Sequence, residues 1–244
     1  MKNSGFPCVV CGKVLHKTKG DVLPCSYCGK GEASDFTCED NHFVCETCRT
    51  SAPVEIIQRT CIASKSDNPL YLANLLMHNP AIPMSGPEHH FLVPAVLLTV
   101  AHNAGQKMNL ESHLRKAMKR INRFGLGSCA RLGACGAALG VPIAISLLLG
   151  ADYSKPKERQ IVLRASASAV TEIANLPAQR CCKASVYSSL RIGSVFLSQE
   201  LELNITSISH LVCQFKESNP ECVGNQCPYF ELHDMEGDGQ WNHP

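Results

Sequence analysis

Eight potential metal ligands are concentrated in the first 48 residues. They occur as three C-x2-C pairs and one C-x3-H pair, and thiolates with imidazole are the ligands that zinc prefers in proteins. Because a structural zinc site takes four such ligands, the set predicts two zinc ions. The eight residues are Cys8, Cys11, Cys25, Cys28, Cys38, His42, Cys45 and Cys48.

The last four of these ligands are too crowded in sequence to close comfortably on one ion, which favours a crossed pairing. Gly12 and Gly29 each follow a C-x2-C pair, where such a turn needs a residue of positive φ. The spacing resembles a cross-braced RING-type or treble-clef layout, without the final C-x2-C of a RING domain, so ubiquitin-ligase activity is not implied. In the crossed pairing Cys25, Cys28, Cys45 and Cys48 hold one ion, and Cys8, Cys11, Cys38 and His42 hold the other.

A second cysteine set lies farther along the chain, at Cys129, Cys135 and the vicinal pair Cys181–Cys182. Cys135 precedes a Gly/Ala-rich segment whose small residues allow another backbone or a cluster to come close. A helix start there, and basic residues beside the vicinal pair, favour thiolates. The basic residues are Arg180 and Lys183.

Three chemical interpretations of this second set remain open. Four converging thiolates suit an iron–sulfur cluster bound by Cys129, Cys135, Cys181 and Cys182. Alternatively, the last three can pass sulfur or electrons through persulfide and disulfide states as catalytic thiols. Free cysteines are also often small buried hydrophobic residues without a chemical role.

Glu88, His89 and His90 precede an apolar segment and are candidates for a proton donor, a base or a ligand near the second set. Capping or simple exposure is the alternative.

The tail adds Cys213, Cys222 and Cys227 as metal ligands. These form either a third zinc site with a borrowed ligand, such as Cys61, or a cluster site, or they supply a thiolate to the second set.

Two family resemblances follow from these motifs. Residues 133–140 followed by Cys181–Cys182 are similar to the C-GCAxxG-C-C redox protein family. The wider pattern, which joins residues 86–91, residues 180–183 and the Cys222-x4-Cys227-Pro-Tyr segment, resembles an uncharacterised cysteine-rich family of archaea and anaerobic bacteria. The first resemblance implies redox activity at the glycine-flanked cysteine and the vicinal pair, and the second supports the positions of the site.

Composition restricts the class of protein. The 244 residues are 45% hydrophobic and 18% charged, which is enough to bury a core, and a net charge of +2 indicates no polyanionic partner by itself. An odd total of 15 cysteines, several of them in C-x2-C pairs, favours metal over disulfides and predicts a reducing cytoplasmic location. Residues 1–7 lack the apolar segment of a secretory signal.

The predicted fold is mainly α, a helical bundle-like domain with a small zinc-ribbon or treble-clef-like N-terminal module. We expect the zinc module at residues 1–52, a connecting segment at 53–87, the cysteine-containing helical domain at 88–212 and a packed tail at 213–244. Asn109 is a predicted N-cap, and the uncharged residues 132–151 favour a buried helix over a membrane span because Gly, Pro, Cys and Ser interrupt them. Helices are predicted at residues 54–62, 68–78, 91–102, 110–124, 134–149, 160–175 and 184–203.

These features predict a metal-binding cysteine protein of redox or sulfur-transfer chemistry. A non-enzymatic zinc adaptor that recruits RNA or protein is the alternative, and a tRNA-modifying sulfur enzyme would combine both roles. No Rossmann fingerprint, P-loop or Ser/His/Asp motif supports other chemistry. The RNA alternative depends on a basic helix face formed by Arg115, Lys116, Lys119, Arg120 and Arg123, with Arg131 beyond it.

Overall fold

The computed structural model describes residues 7–125, 127–177, 180–208 and 211–231. Within these ranges the protein has one two-stranded sheet, nine α-helices and a short 3-10 turn at Gly224–Gln226. The predicted mainly helical architecture is therefore confirmed. The part of the predicted tail beyond residue 231 lies outside the described residues.

The N-terminal module is built on an antiparallel hairpin whose strands are β1 (His16–Pro24) and β2 (Gly31–Thr37). The short helix α1 (Glu46–Thr50) follows it. The sequence did not predict the strands because most of their side chains are exposed, so no apolar alternation marks them.

Eight further helices form the larger domain. The seven predicted helices all occur, with ends that differ by a few residues, and the short α6 was not predicted. The side chain of Asn109 caps its helix as predicted, accepting a hydrogen bond from the Ser112 N–H at 2.8 Å. The helices are α2 (Pro53–Ala63), α3 (Pro69–Met77), α4 (Glu88–Asn103), α5 (Leu110–Ile121), α6 (Ser128–Leu132), α7 (Gly136–Leu149), α8 (Pro156–Ala174) and α9 (Cys182–Glu200).

Helix α4 is the centre of the core and packs against α7, α5, α9, α2 and α3. The small residues of α7 make its close approach possible: a methyl group on Gly140 would lie 2.6 Å from Pro94 Cδ and 2.9 Å from Val93 Cβ. The Gly/Ala-rich segment thus lets helix α4 pack closely against it, through the side chains of Pro94 and Val93. The residues of the expected connecting segment also join this core, through α2 and α3.

Helix α7 spans most of the uncharged stretch and is largely buried, as a core helix should be. Among the described residues, no helix has both the length and the apolar character that crossing a bilayer requires.

The tail folds back onto α9. The Ser188 and Tyr229 hydroxyls form a buried 2.6 Å hydrogen bond, and the Tyr187 and Tyr229 rings meet edge to face with centroids 5.5 Å apart. The Cys213 N–H donates to the Tyr229 carbonyl at 2.6 Å. These contacts bring the tail cysteines to the N-terminal end of α9.

Candidate metal centres and thiol site

The N-terminal ligands form two groups of four, and within each group all ligand atoms lie within 4.8 Å of one another. Sulfur atoms bound tetrahedrally at about 2.3 Å from zinc are about 3.8 Å apart. The observed separations are close to that value: 3.7 Å between the Sγ atoms of Cys11 and Cys38, and 3.7 Å between those of Cys28 and Cys45. The groups are Cys8, Cys11, Cys38 and His42, and Cys25, Cys28, Cys45 and Cys48.

The crossed pairing follows from two matching turns, one before the hairpin and one that connects its two strands. In the first turn the Gly12 N–H donates to the Cys8 carbonyl at 2.8 Å, and Gly12 has a φ of 73°. In the second the Gly29 N–H donates to the Cys25 carbonyl at 2.8 Å, with a φ of 72°. Because β1 separates the two turns, each turn meets a different part of the segment after β2, and the eight residues make two groups of four.

Backbone N–H groups are aimed at the sulfur atoms of both groups. The Val10 N–H points at Cys8 Sγ, and the Cys45 N–H at Cys25 Sγ, each at 3.4 Å. Burial alone would raise the pKa of Cys25, but the surrounding N–H groups outweigh it and the pKa is lowered. The residues present therefore fit metal coordination, in which each thiol is deprotonated.

The vicinal pair is divided between two sites. Cys181 is the N-cap of α9 and still has extended backbone, whereas Cys182 is its first helical residue. Their side chains consequently point to different neighbours. The single convergent set of four thiols expected from the sequence is not what the structure brings together.

Cys181 faces the tail. Its Sγ accepts hydrogen bonds from the Ala184 N–H at 3.4 Å and from Asn219 Nδ2 at 3.6 Å. It lines one cavity together with the three tail cysteines, Cys213, Cys222 and Cys227.

Cys182 faces the start of α4 and the N-cap of α7, which is Cys135. Burial raises the pKa of Cys182 and the neighbouring Cys135 raises it further, while hydrogen bonds from the Gly86 N–H and the Ser85 hydroxyl lower it. The expected effect of the flanking basic residues is thus overcome by burial. Arg180 itself pairs with Glu221 at 3.4 Å.

Gly86 connects the Cys182 site to Glu88 and His89, two of the residues that the sequence analysis proposed for proton transfer or ligand binding. Its carbonyl accepts from Nδ1 of the buried His89 at 3.0 Å, and a methyl group on Gly86 would lie 2.1 Å from Glu88 Oε2. Among the described residues, Glu88 Oε2 and His89 Nε2 are buried atoms without a hydrogen-bond partner. Unpaired buried polar atoms are uncommon and often mark a place where a ligand or water binds.

The two histidines have different surroundings. Burial lowers the pKa of His89 to about 3, and the nearby Lys183 charge lowers it further, so its imidazole is neutral at pH 7 with a free lone pair on Nε2. The His90 ring packs on Gly136 at the start of α7, where a methyl group would lie 2.3 Å from its Cγ. Burial lowers the pKa of His90 as well, while the charge of Glu88 opposes this.

Lys183 lies between the two thiol sites and is almost fully buried. Its ammonium donates to the carbonyls of Pro83 at 3.0 Å and Met77 at 3.3 Å, and it lies 4.8 Å from the centroid of the Phe215 ring. Burial lowers its pKa to about 8, against the opposing charges of the nearby thiolates. Lys183 therefore joins α9 to the loop before α4 and to the tail.

Two cysteines stand outside these sites. Cys129 is exposed on α6, and within the described part of the chain its thiol has no hydrogen-bond partner. Cys61, considered above as a borrowed ligand, is fully buried between α2 and α4 beside Thr99, and burial raises its pKa to about 12. Cys61 is therefore a core residue, and it does not line the cavity of the tail cysteines.

The basic face on α5 is only partly available to a partner. Arg115 pairs with Glu111 at 3.6 Å, and Arg120 turns inward to donate to Ser146 Oγ at 3.0 Å. The side chains that stay exposed without such contacts are Lys116, Lys119 and Arg123 on this face, and Arg131 on α6.

Sequence reasoning missed Ser85, Gly86, Asn219 and Tyr229 as parts of the thiol sites. Their hydrogen bonds to cysteines or to the helix that carries them connect segments up to about 100 residues apart. Gly86 did leave a signal, because it opens the Gly-Pro-Glu-His-His motif. Tyr229 also left one, because it ends the Cys-Pro-Tyr segment, whereas no comparable local signal marks Ser85 or Asn219.

Comparison with known families gives one match. The profile of DUF5714, a family of unknown function, matches residues 57–230. No curated protein and no solved structure matches the chain. The matched region contains the helical domain and the tail cysteines, whereas the two N-terminal ligand groups lie before it.

Proposed function

Since the chain belongs to the DUF5714 family, whose function is unknown, we propose a function from its own residues: thiol-dependent redox or sulfur-transfer chemistry in the helical domain. The reacting thiols are Cys135 and Cys182. The observation that carries this proposal is that these thiols, each at a helix start, interact electrostatically near two buried polar atoms that lack partners, Glu88 Oε2 and His89 Nε2.

Both chemical forms of the proposal use the same pair. In the redox form, oxidation of the two thiols to a disulfide releases two electrons and two protons to an external thiol–disulfide partner, and the reverse reaction consumes them. In the sulfur-transfer form, one thiolate takes a sulfane sulfur from a polysulfide, which leaves one sulfur atom shorter. The second thiol then attacks the resulting persulfide, releases hydrosulfide and leaves the disulfide. The similarity of residues 133–140 and 181–182 to the C-GCAxxG-C-C redox family supports this type of chemistry.

The neighbouring groups have distinct roles in this proposal. The Gly86 N–H and Ser85 hydroxyl stabilise the Cys182 thiolate by donating to it. His89 is too weak a base to carry a proton at neutral pH, so its Nε2 accepts a hydrogen bond from the substrate. Proton transfer then falls to His90 or Glu88.

The test is labelling of the anaerobically purified protein with oxidised glutathione and, separately, with inorganic polysulfide. Mass spectrometry should find mixed disulfide or persulfide on Cys182 or Cys135, followed by a disulfide between them. C182S and C135S should each lose the intramolecular disulfide, and C129S is the matched control that keeps it. Equal labelling of all three variants, or no disulfide in the wild type, would count against the proposal.

The N-terminal module supports a second function, the docking of a partner. Each of its two groups has four residues, and a zinc site with four protein ligands leaves no coordination position for a substrate. The module also precedes the region that the family profile matches. We propose that two zinc ions fold it and that it recruits a protein or RNA.

The RNA form of this docking function depends on α5 and on Arg123, which follows its C-cap. Reversal of the charges of Lys119 and Arg123 should weaken RNA binding in a gel-shift assay, because phosphate contacts scale with the cationic side chains that make them. Reversal of Lys157 and Arg159 on α8 is the matched control, since both are also exposed basic helix residues. Equal binding by both double variants would exclude α5 as an RNA site.

A further inference from the structure

We propose that Cys181, Cys213, Cys222 and Cys227 bind a four-iron, four-sulfur cluster. This site is separate from the two N-terminal metal groups and from the Cys135–Cys182 thiol pair. The inference is independent of the thiol chemistry proposed above, because it concerns different sulfur atoms.

The four thiols come from two distant parts of the chain and meet at one cavity. One is the N-cap of α9 and three belong to the tail, which the contact of Ser188 with Tyr229 holds against that helix. The rest of the wall is mostly apolar, with four aromatic residues beside Ala184 and Val223, and such a shell limits the access of water to a bound cluster. The aromatic residues are Tyr187, Phe215, Tyr229 and Phe230.

Backbone N–H groups point at three of the four sulfur atoms. The Ala184 N–H donates to Cys181 Sγ and the Phe215 N–H to Cys213 Sγ, each at 3.4 Å. The Tyr229 backbone donates to Cys227 and lowers its pKa against the larger, opposite effect of burial. Hydrogen bonds of this kind stabilise thiolate ligands and adjust the reduction potential of iron–sulfur clusters.

The sulfur atoms of this site are spaced more widely than those of the two N-terminal groups. The N-terminal groups are as tight as a zinc ion requires, with ligand atoms within 4.8 Å of one another. Among the described residues no other set of three or more ligands is that tight, so no three of the four cavity sulfurs are. In a four-iron cluster each cysteine binds a different iron, and the sulfur atoms are held farther apart than around a single ion.

The charges around the cavity also suit a cluster, which carries a net negative charge with its four thiolates. The N-terminal end of the 19-residue helix α9 points at the site through Cys181. Lys216 lines the cavity, and the buried Lys183 interacts electrostatically with Cys181 and Cys213. The one acidic side chain of the lining, Glu221, is paired with Arg180.

The experiment is iron, zinc and acid-labile sulfide analysis, with visible and electron paramagnetic resonance spectra, of the full-length protein purified without oxygen. The wild type should hold about four irons and four sulfides per chain, besides about two zincs. C213S/C227S should lose the iron and sulfide and keep the zinc. The matched control C129S/C135S, also a double Cys-to-Ser variant, should keep all three.

Each other result overturns the inference. About three zincs without iron would show a third mononuclear site. Iron that stays in C213S/C227S but leaves C129S/C135S would place the cluster on the other cysteines. No iron even after reconstitution with ferrous iron and sulfide would remove the cluster altogether.

A measurement on the wild type avoids dependence on how the variants fold. Alkylation followed by mass spectrometry should find the four proposed ligands protected while Cys129 reacts, and an iron chelator should expose all four together. Labelling of these four thiols in the iron-loaded protein would contradict the inference. An intact cluster without a Cys135–Cys182 disulfide would reject only the thiol chemistry.

Discussion

At the scale of single residues, the thiols of this protein differ mainly in burial and in the N–H groups around them. Cys25 and Cys38 have lowered pKa values because backbone donors outweigh burial, whereas Cys61 and Cys182 have raised ones because burial dominates. Residue type alone therefore does not determine which cysteine is a ligand, a reactant or a core residue.

Cys61 should be chemically inert in the folded protein. Its side chain is fully buried and its pKa is about 12, so neither access nor thiolate is available. In an iodoacetamide time course at pH 8, read by mass spectrometry, it should react about a hundredfold or more slowly than the exposed Cys129. Urea should remove the difference, and comparable rates in the native protein would contradict the burial of Cys61.

His89 should make stability depend on pH. Its folded pKa of about 3 is below the unfolded value of about 6.5, so its contribution is complete above pH 6.5 and is lost as pH falls toward 3. One such group changes the free energy of unfolding by up to about 1.4 kcal/mol per pH unit. Denaturant unfolding at several pH values should show that the free energy of unfolding changes less steeply with pH in H89Q than in the wild type. Acid release of metal affects both proteins alike. Identical slopes would rule this contribution out.

At the scale of elements, the helices were predictable because their apolar spacing and caps are local. The hairpin was not, because its exposed strands carry no alternation. The glycines of α7 indicate in the sequence that another element packs closely against it. Nothing local in the sequence indicates that this element is α4. Gly140 and Gly193 both contact α4. Gly140 lies against the Pro94 ring and Val93 Cβ, and Gly193 lies against the end of the Leu97 side chain.

This contrast leads to a prediction for two matched substitutions. G140A should lower the free energy of unfolding by about 1–3 kcal/mol, because its methyl group meets the Pro94 ring and Val93 Cβ. G193A should cost less, since its methyl group meets only the outer atoms of the Leu97 side chain; the gain of up to about 1 kcal/mol in helix propensity applies to both variants. Chemical denaturation measures both, and an equal or larger loss in G193A would be inconsistent with this packing.

At the scale of the whole molecule, the N-terminal module and the helical domain have different sources of stability. The module has few buried aliphatic residues and depends on its ligand groups, although Tyr27 and three cysteines of one group reach the helical core. The sequence predicted the two groups of four that the structure brings together in this module, because the spacing of their residues is local. It did not predict the division of the vicinal pair, which depends on where the tail returns.

Removal of zinc should therefore unfold the module and spare the helices. A strong chelator should release about two zincs per chain while the far-ultraviolet helical signal is largely retained. The thermal midpoint should fall, because the buried side chain of Tyr27 loses its position beside Asn79. Collapse of the helical signal together with zinc release would show that the two parts do not have separate stability.

The central claim is that two neighbouring cysteines at the start of α9 serve two different sites. Comparison of C181S with C182S in the anaerobically purified protein tests it most directly, with iron and sulfide content and the Cys135 disulfide measured in each. The account predicts that C181S loses or weakens the cluster and keeps a reactive Cys182, while C182S keeps the cluster and loses the disulfide. The same loss in both variants would contradict the division and return both cysteines to a single site.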